Sequence, residues 1–365
     1  MDLDPAELER VFGRPVGDFT VEPVDPHLRI HSVTGGVYRV RAGDDSAVLK
    51  VVRHGDGATA DGLWGADAEV GARNYWKREW LAFDSGLLGS FPGRLRAPRT
   101  LLTTEHGDAE CWIWMQDVAG RTGPALGTGD LRTVAAALGS TQGAYAAGAA
   151  DLPDEAWLSR SWLRGWVEVC RASFVPALFD DRGWDDSRLA PVRELRDGAA
   201  ALWSRCEDLL RIAESAPPTL THWDFWPANL FVDGDAVTAI DWSQVGIGGL
   251  THDLDQLTLD PVWMQVLPDA SLDELEAAVL DGYLAGLHEA GCEFEPEQVR
   301  RWYAVTAAAR YTWLIGGQPG LAADPAAVAE QERRFGRPFA AITEAKARVV
   351  RRAIELGQWA LGSAS

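Results

Sequence analysis

Two polar clusters separated by a short apolar hairpin constrain the fold of this chain more than any other feature. The first cluster is T-H-W-D-F-W-P-A-N at 221–229, and the second is A-I-D-W at 239–242. Between them, the run L-F-V, the turn D-G-D and the run A-V-T-A are typical of two strands joined by a tight turn. Such a hairpin returns Asp241 to the loop that holds Asp224 and Asn229, so the three side chains are expected to converge.

Asp224, Asn229 and Asp241 would be hard oxygen ligands with no cysteine nearby. Such a set suits Mg²⁺ bound together with substrate phosphates better than it suits zinc. Asn229 and Asp241 would hold the metal, and Asp224 would orient or deprotonate a nucleophile. A single aspartate in such a loop is more often a turn or cap residue. However, the spacing of five residues from Asp224 to Asn229 and seventeen to Asp241 matches a kinase catalytic loop and its metal-binding aspartate.

A kinase arrangement also requires a lysine that anchors phosphate from a strand of a small sheet. The best candidate is Lys50 in A-V-L-K-V-V, where apolar neighbours would bury the ammonium unless an anion receives it. The alternative is an edge-strand lysine that extends to solvent. Glu79 is the best-placed carboxylate to pair with Lys50, and Glu69 is a weaker candidate. Gly35 and Gly36 in T-G-G-V-Y-R-V could lay backbone N–H groups over phosphates, although such a pair is also an ordinary turn.

The length of 365 residues exceeds the roughly 250–300 residues at which a single core stops growing. Two unequal lobes are therefore expected. The predicted division is an N-terminal lobe over 1–115 that binds the nucleotide phosphates, a hinge over 116–121 and a helical lobe over 122–365 with the catalytic loop, metal site and acceptor pocket.

Composition excludes several classes of protein. The net charge of −20 repels phosphate backbones, so no nucleic-acid partner is expected. No run of about 18 uncharged apolar residues appears, so no membrane partner is expected. Four scattered cysteines and an acidic start without a signal-like segment favour a reduced, cytoplasmic setting. The chain has no Gly-Lys dipeptide, which excludes a P-loop.

The first hundred residues alternate β-like runs with turns, and the chain beyond Gln116 is mostly helical. The expected turns are Gly35-Gly36 and 43–45, and the first helix is expected over 69–88. Expected strands cover 28–33, 36–42, 46–53, 99–104 and 111–115, with further β-like runs between 219 and 242. Later helices are expected over 131–145, 155–173, 188–213, 271–290, 296–315 and 325–357.

The order of these motifs resembles the aminoglycoside phosphotransferase and choline kinase-like superfamily. The resemblance covers roughly residues 30–260 and includes S-V-T-G-G-V-Y-R-V, V-L-K, R-E-W-L-A, W-M-Q-D-V-A-G, T-H-W-D-F-W-P-A-N-L-F-V and A-I-D-W-S-Q-V-G-I-G-G-L-T-H-D-L-D. It implies an α+β, bilobal protein kinase-like fold. In this fold a small antiparallel sheet with one helix precedes a larger, mainly helical lobe.

The resemblance also implies roles for the residues that would bind ATP. Lys50 would bind the α- and β-phosphates, and Glu79 would hold Lys50. Adenine would form hydrogen bonds along the hinge at Gln116, Asp117 and Val118.

For the chemical step, the resemblance implies that Asp224 is the catalytic base and that Asn229 and Asp241 are the Mg²⁺ ligands. His222 would brace the catalytic loop, and Asp253 would support that loop structurally. The chain departs from the family pattern with Trp223, where glycine is usual, and with Trp226, where His or Lys is common.

The acceptor should be recognised by the helical inserts at 151–200 and 255–320. The first insert contains Trp157, Trp162, Trp166 and Trp184 and the acidic D-D-R-G-W-D-D at 180–186. Carboxylates and indoles together would suit a cationic amine through ion pairing and cation–π contact.

The expected function is therefore ATP- and Mg²⁺-dependent transfer of the γ-phosphate to a hydroxyl of a small molecule. The acceptor could be an amine-bearing antibiotic, an aminosugar or another metabolite. Two alternatives stay open: a kinase of the same fold that modifies Ser or Thr of a peptide in biosynthetic tailoring, and a non-catalytic nucleotide-binding partner protein.

Overall fold

A computed structural model describes residues 3–24, 33–54 and 65–362. Most of the strand predicted over 28–33 lies outside these residues. Helix α1 (Pro5–Phe12) precedes an antiparallel sheet whose strand order is β1-β2-β3-β6-β5. The strands up to Gln116 are β1 (Thr20–Pro23), β2 (Thr34–Ala42), β3 (Asp45–Arg53), β4 (Leu95–Arg96), β5 (Thr100–Glu105) and β6 (Glu110–Gln116).

Strands β2 and β3 form a hairpin that turns at Gly43, whose φ of 66° favours glycine. This confirms the turn predicted over 43–45. The predicted turn at Gly35-Gly36 is wrong, because both glycines lie within β2. The register shifts there between Thr34 and Gly36, so the pair accommodates a bulge.

The helix predicted over 69–88 is wrong in its first half, because α2 covers only Arg78–Asp84. The buried guanidinium of Arg78 donates hydrogen bonds to the carbonyl oxygens of Ala72 at 2.5 Å and Arg73 at 2.7 Å. It also donates to the carbonyl of Trp157 at 2.9 Å. Carbonyl groups that a longer helix would use are therefore bound to Arg78 instead.

Beyond β6 the chain is mainly helical, as predicted. The segment before Trp162 is not helical, because the carbonyl of Ser159 accepts a hydrogen bond from the backbone of Ile247 at 2.7 Å. The segment 188–213 contains three short helices rather than one. The helices are α3 (Thr128–Ala146), α4 (Trp162–Ser173), α5 (Val175–Leu178), α6 (Ala190–Arg193), α7 (Arg196–Trp203), α8 (Cys206–Glu214), α9 (Leu254–Thr258), α10 (Asp260–Trp263), α11 (Leu272–Glu289), α12 (Pro296–Tyr311), α13 (Gln318–Ala323), α14 (Pro325–Phe335) and α15 (Phe339–Gly362).

The helix predicted over 325–357 is divided into α14 and α15. Gly336 has a φ of 62°, which ends α14 in the left-handed conformation typical of a helix C-terminus. Pro338 then lacks the N–H that a continuous helix would need. Short 3-10 helices cover Leu87–Gly89, Gly123–Ala125, Ser187–Leu189, Pro227–Asn229, Trp242–Gln244 and Thr312–Gly317.

The predicted hairpin between 219 and 242 is present as β8 (Leu230–Asp233) and β9 (Ala236–Ala239), and β7 (Pro218–Thr221) pairs with β10 (Gly246–Gly249). Strand β4 pairs in parallel with β9. Backbone N–H groups of Arg94 and Leu95 also donate to side chains of α3, at 3.0 Å each. The segment around β4 is thus attached to the helical part of the chain.

These elements confirm the predicted α+β fold, with an antiparallel N-terminal sheet and a larger helical C-terminal part. The division at 1–115, 116–121 and 122–365 stays a prediction. None of the helices in residues 3–24, 33–54 and 65–362 is long and apolar enough to cross a membrane.

Glycines let α3 and α11 pack backbone to backbone. A Cβ atom at Gly139 would lie 2.3 Å from the carbonyl oxygen of Tyr283, and one at Gly286 would lie 2.2 Å from that of Ala136. These distances are below van der Waals contact, so a larger side chain would force the helices apart.

We predict that Gly139→Ala lowers the free energy of unfolding by about 1–3 kcal/mol, because the added methyl overpacks the contact between α3 and α11. Gly129→Ala in the exposed first turn of α3 is the matched control, since nothing lies within 4 Å of the added Cβ. Urea denaturation followed by circular dichroism measures both changes. Equal stability of the two variants would contradict this account of the packing.

Candidate active site

A cleft of ≈ 910 Å³ lies between the N-terminal sheet and the helical part of the chain. Its walls come from β2, β3, β6 and α2 on one side and from the 221–241 region and helices α10, α12 and α15 on the other. The structure thereby brings together most of the residues singled out from the sequence. Those that line the cleft are Lys50, Glu79, Gln116, Asp117, Val118, Asp224, Asn229 and Asp241.

Lys50 lies in β3, which is a central strand between β2 and β6. Its side chain is 8% exposed, so it does not extend to solvent as an edge-strand lysine would. The Lys50 Nζ atom lies 2.6 Å from Glu79 Oε2 and 2.9 Å from Asp241 Oδ1. Burial opposes the charge, but the carboxylates of Asp241 and Glu79 outweigh it and raise the pKa of Lys50 above its ordinary value.

The pairing of Lys50 with Glu79 agrees with the sequence-based preference for Glu79 over Glu69. Glu79 lies in the first turn of α2 and is buried, whereas Glu69 is exposed in the preceding turns. Gly35 and Gly36 do not line the cleft. The space above them is occupied by side chains, since a Cβ at Gly35 would lie 2.4 Å from Arg53 Nε. The predicted role of these two glycines over phosphates therefore receives no support from their positions.

The predicted hinge segment leaves β6 at the edge of the cleft. The Asp117 carboxylate receives two hydrogen bonds from Arg39, at 2.8 and 3.0 Å. It also receives one from the Ser46 hydroxyl, at 2.9 Å. Burial alone would raise the pKa of Asp117, but these hydrogen bonds prevail and lower it. The carboxylate is thus engaged with the sheet.

The Asp253 side chain fixes the backbone of the loop that follows β7. The buried Asp253 carboxylate accepts hydrogen bonds from the backbone N–H groups of His222 at 3.1 Å and Trp223 at 2.8 Å. The side-chain amide of Gln142 donates a further bond to it, at 3.0 Å. These bonds satisfy the loop backbone where Trp223 adopts a φ of 65°, a conformation that is unfavourable for a bulky residue.

His222 links this loop to the end of β9. Its Nε2 atom lies 2.9 Å from the carbonyl oxygen of Ile240, and its Nδ1 atom accepts a hydrogen bond from the backbone of Asp224 at 3.2 Å. The ring also packs on Trp242, with centroids 4.4 Å apart. Burial lowers the pKa of His222 to about 4, so the imidazole is neutral at pH 7. His222 does not line the cleft, and its contacts are those of a positioning residue.

Asn229 and Asp224 are connected by hydrogen bonds. The Asn229 side-chain amide donates hydrogen bonds to the backbone oxygen of Asp224 at 2.9 Å and to its Oδ2 atom at 2.7 Å. Burial raises the pKa of Asp224 to about 7, and the nearby carboxylates of Asp241 and Asp260 act in the same direction. Asp241 itself has a φ of 61°, which directs its carboxylate to Lys50 at the start of a 3-10 helix.

The side chains of Asp241 and Asn229 fit a metal ion that is bound by protein oxygens and phosphate oxygens together. Asp241 offers a carboxylate. The side-chain nitrogen of Asn229 donates a hydrogen bond to Asp224, so the side-chain oxygen of Asn229 is the atom that could bind a metal. Within the described parts of the chain, no three His, Cys, Asp or Glu residues form a metal-binding group. A carboxylate oxygen and an amide oxygen are hard donors of the kind that Mg²⁺ binds together with substrate phosphates.

Several residues of the cleft were not singled out from the sequence. They lie on helices that line the cleft together with the loop 222–229, and their isolated positions in helical sequence carry no motif. Gln256 accepts a hydrogen bond from the backbone of Phe225 at 2.9 Å, so it also supports the loop. The main ones are Gln256, Asp260, Trp263, Arg310, Tyr311, Gln318 and Lys346.

The tryptophans expected to recognise the acceptor are divided between the cleft and the core. Trp162 and Trp166 line the cleft, as do Trp223 and Trp226. Trp157 and Trp184 are buried core residues that do not line it. The acidic segment 180–186 also does not line the cleft, and three of its four carboxylates pair with arginines. Those pairs are Asp180–Arg182, Asp181–Arg196 and Asp186–Arg188.

Kinase-like phosphotransferases share this arrangement, in which a lysine–glutamate pair of a small sheet faces an aspartate and metal-binding groups across a cleft. The chain belongs to the phosphotransferase enzyme family, whose model matches residues 31–302. This confirms the superfamily to which the motifs were assigned. No curated protein sequence matches the chain significantly.

Solved structures with the same fold include a spectinomycin phosphotransferase in complex with ADP and spectinomycin. It is 15% identical, with a TM-score of 0.54 and coverage of 95% of this chain and 97% of that one. A microcompartment-associated aminopropanol kinase is 15% identical, with a TM-score of 0.53 and coverage of 99% and 98%. Choline kinase from Cryptosporidium parvum is 13% identical, with a TM-score of 0.52 and coverage of 94% and 93%.

We predict that Asp253→Asn destabilises the protein by about 1–3 kcal/mol, because the amide cannot accept all the hydrogen bonds that the buried carboxylate accepts. Asp235→Asn, in the exposed turn between β8 and β9, should change stability by less than about 0.5 kcal/mol. Chemical denaturation of the two variants measures the difference. An Asp253→Asn protein as stable as the Asp235→Asn control would show that the loop does not depend on these bonds.

Proposed function

We propose that the chain transfers the γ-phosphate of ATP to a hydroxyl group of a small molecule, with Mg²⁺ as the metal. One observation carries the proposal. The charge network of Lys50, Glu79 and Asp241 lines the same cleft as the hydrogen-bonded pair Asp224 and Asn229. The spectinomycin phosphotransferase of the same fold, which holds ADP and spectinomycin, offers a precedent for a nucleotide and a small acceptor in one protein.

In this proposal Lys50 binds the α- and β-phosphates of ATP. Its ammonium is held in place by Glu79, so it needs no reorganisation when the nucleotide binds. The adenine lies against the segment Gln116–Val118. Because the Asp117 carboxylate is bound to Arg39 and Ser46, contacts to adenine would come from backbone groups. We further propose that residues 1–115 and 122–365 act as two lobes joined by the hinge 116–121.

Asp241 and Asn229 would hold the metal. Bound Mg²⁺ would neutralise phosphate charge as it develops during transfer. The hydrogen bond from Asn229 to Asp224 fixes the carboxylate of Asp224 next to the metal ligands.

Asp224 acts as the catalytic base. Its carboxylate accepts the proton of the acceptor hydroxyl while the hydroxyl oxygen forms a bond to the γ-phosphorus. The bond between that phosphorus and the bridging oxygen breaks, and ADP leaves with the electron pair. His222 and Asp253 contribute by positioning, since they fix the loop that holds Asp224.

The acceptor end of the cleft favours a small molecule over a peptide. Helices α4, α10, α12, α13 and α15 all contribute side chains to it, so its walls come from several directions. An extended peptide would need an open groove. The aminopropanol kinase and choline kinase of the same fold are named for small alcohols, which agrees with this choice.

We predict that Asp224→Asn lowers turnover by about 10²- to 10⁴-fold, the usual contribution of a general base, and leaves ATP affinity nearly unchanged. The assay is transfer of labelled γ-phosphate to a panel of amino alcohols, amine-bearing antibiotics, hydroxy acids and Ser/Thr peptides, read by the mass of the acceptor. Asp235→Asn, which removes an exposed carboxylate far from the cleft, is the control. Normal turnover by Asp224→Asn would refute the assigned mechanism.

We also predict that Asp241→Ala abolishes the Mg²⁺ dependence of ATP binding. In the wild-type protein, calorimetry should show tighter ATP binding with Mg²⁺ than with a chelator, because Asp241 and Asn229 contribute ligands. The variant should bind ATP equally under both conditions, since Lys50 still pairs with Glu79. A Mg²⁺ effect that persists in Asp241→Ala would place the metal elsewhere.

A further inference from the structure

Lys346 is a buried cation that lines the acceptor end of the cleft. It is 5% exposed and lies on the long helix α15. The chain has only two other lysines, and both are paired. Lys50 pairs with Glu79 and Asp241, and Lys77 lies 2.5 Å from Glu105. In the described residues, no carboxylate lies within salt-bridge distance of Lys346.

The surroundings of Lys346 supply little compensation for its burial. Its Nζ atom lies 5.2 Å from the centroid of the Trp263 ring, which is a cation–π contact. Burial lowers the pKa of Lys346 to about 8, and the positive charge of Arg334 acts in the same direction. The ammonium is therefore still mostly charged at pH 7. A buried charge of this kind is costly unless an anion pairs with it.

Asp260 is a carboxylate that also lines the cleft, and it has other partners. Asp260 begins α10, one helical turn before Trp263, and accepts a hydrogen bond from Gln256 at 3.4 Å. Its charge also acts on Asp224. Helix α10 therefore connects the two sites: Asp260 lies near the proposed base, and Trp263 contacts Lys346. One helical turn, about 5 Å, separates Asp260 from Trp263 along the helix.

Many of the side chains that line the cleft are apolar. They include Phe174, Trp226, Trp263, Leu314 and Leu321. Flat and aliphatic side chains of this kind fit a ligand with an apolar face. Hydroxyl or ammonium groups of an acceptor that faced these apolar side chains would lack partners there.

We infer that the acceptor is an organic anion with a flat apolar body, a carboxylate that pairs with Lys346 and a hydroxyl that reaches Asp224. The inference rests on the proposed function and specifies its substrate class. It differs from the cationic amine expected from the tryptophans and the acidic segment 180–186. The carboxylates of that segment do not line the cleft, whereas Lys346 does.

Three indole alcohols that differ in charge test the inference. Indole-3-lactate is an anion, tryptophol is neutral and tryptophanol is a cation at pH 7. Calorimetric titration into the wild-type protein, with Mg²⁺ and a non-hydrolysable ATP analogue present, measures their relative affinities. We expect indole-3-lactate to bind about tenfold or more tightly than tryptophol, because a charge-assisted hydrogen bond forms in a buried site. Tryptophanol should bind most weakly.

Lys346→Met keeps the length of the side chain and removes its charge, so it should abolish the preference for indole-3-lactate over tryptophol. Lys77→Met is the matched control, because Lys77 does not line the cleft, and it should keep the full preference. Thermal unfolding of both variants checks that they are folded. Equal binding of the three alcohols, tighter binding of tryptophanol, or no binding of any of them would overturn the inference.

Transfer assays with the same alcohols separate this inference from the proposed function. Phosphorylation of tryptophanol in preference to indole-3-lactate would refute the anionic acceptor and leave the phosphotransferase proposal intact. A Lys346-dependent preference for indole-3-lactate in binding, without ATP-dependent transfer to any hydroxyl in the wider panel, would refute the phosphotransferase proposal and leave the anion site intact.

Discussion

The site depends on one buried charge network. Lys50 lies in the centre of the sheet, where its ammonium would be unstable without Glu79 and Asp241. These partners come from α2 and from the end of the β8–β9 hairpin, so the network joins three distant parts of the sequence. Replacing Lys50 by a neutral residue would leave both carboxylates without their cation, and breaking such a buried pair commonly costs about 3–5 kcal/mol. The same interaction therefore supports both the fold and the proposed phosphate site.

The sequence predicted that Asp224, Asn229 and Asp241 converge and that Lys50 has a carboxylate partner, because these residues lie close together in the chain or in strongly patterned strands. Asp224, Asn229 and Asp241 are separated by one hairpin, so their convergence follows from local structure. Lys50 was identifiable because a charged residue in an apolar strand requires a partner. The α+β class followed in the same way from alternating strands and later helical periodicity. Local signals of this kind do not depend on the tertiary packing.

The failures have tertiary causes. The helix expected from Glu69 begins only at Arg78, because a buried guanidinium binds the carbonyl groups before it. Gly35 and Gly36 resemble a turn, but the pairing of β2 with β3 continues through them. Several residues that line the cleft were missed because Asp260, Arg310 and Lys346 belong to helices far apart in the sequence. Nothing in the neighbourhood of Lys346 in the chain indicates that it faces a cleft.

The pairing of β4 with β9 has a mechanical consequence. Residues 94–95 are bonded to α3 and to the hairpin that ends at Asp241, whereas β5 begins at Thr100 in the N-terminal sheet. After β3 the chain therefore enters the helical part before Arg94, returns to the sheet at 97–99 and leaves it again after Gln116. Three links join the two parts, so any rigid rotation of the sheet relative to the helices would have to bend all three of them.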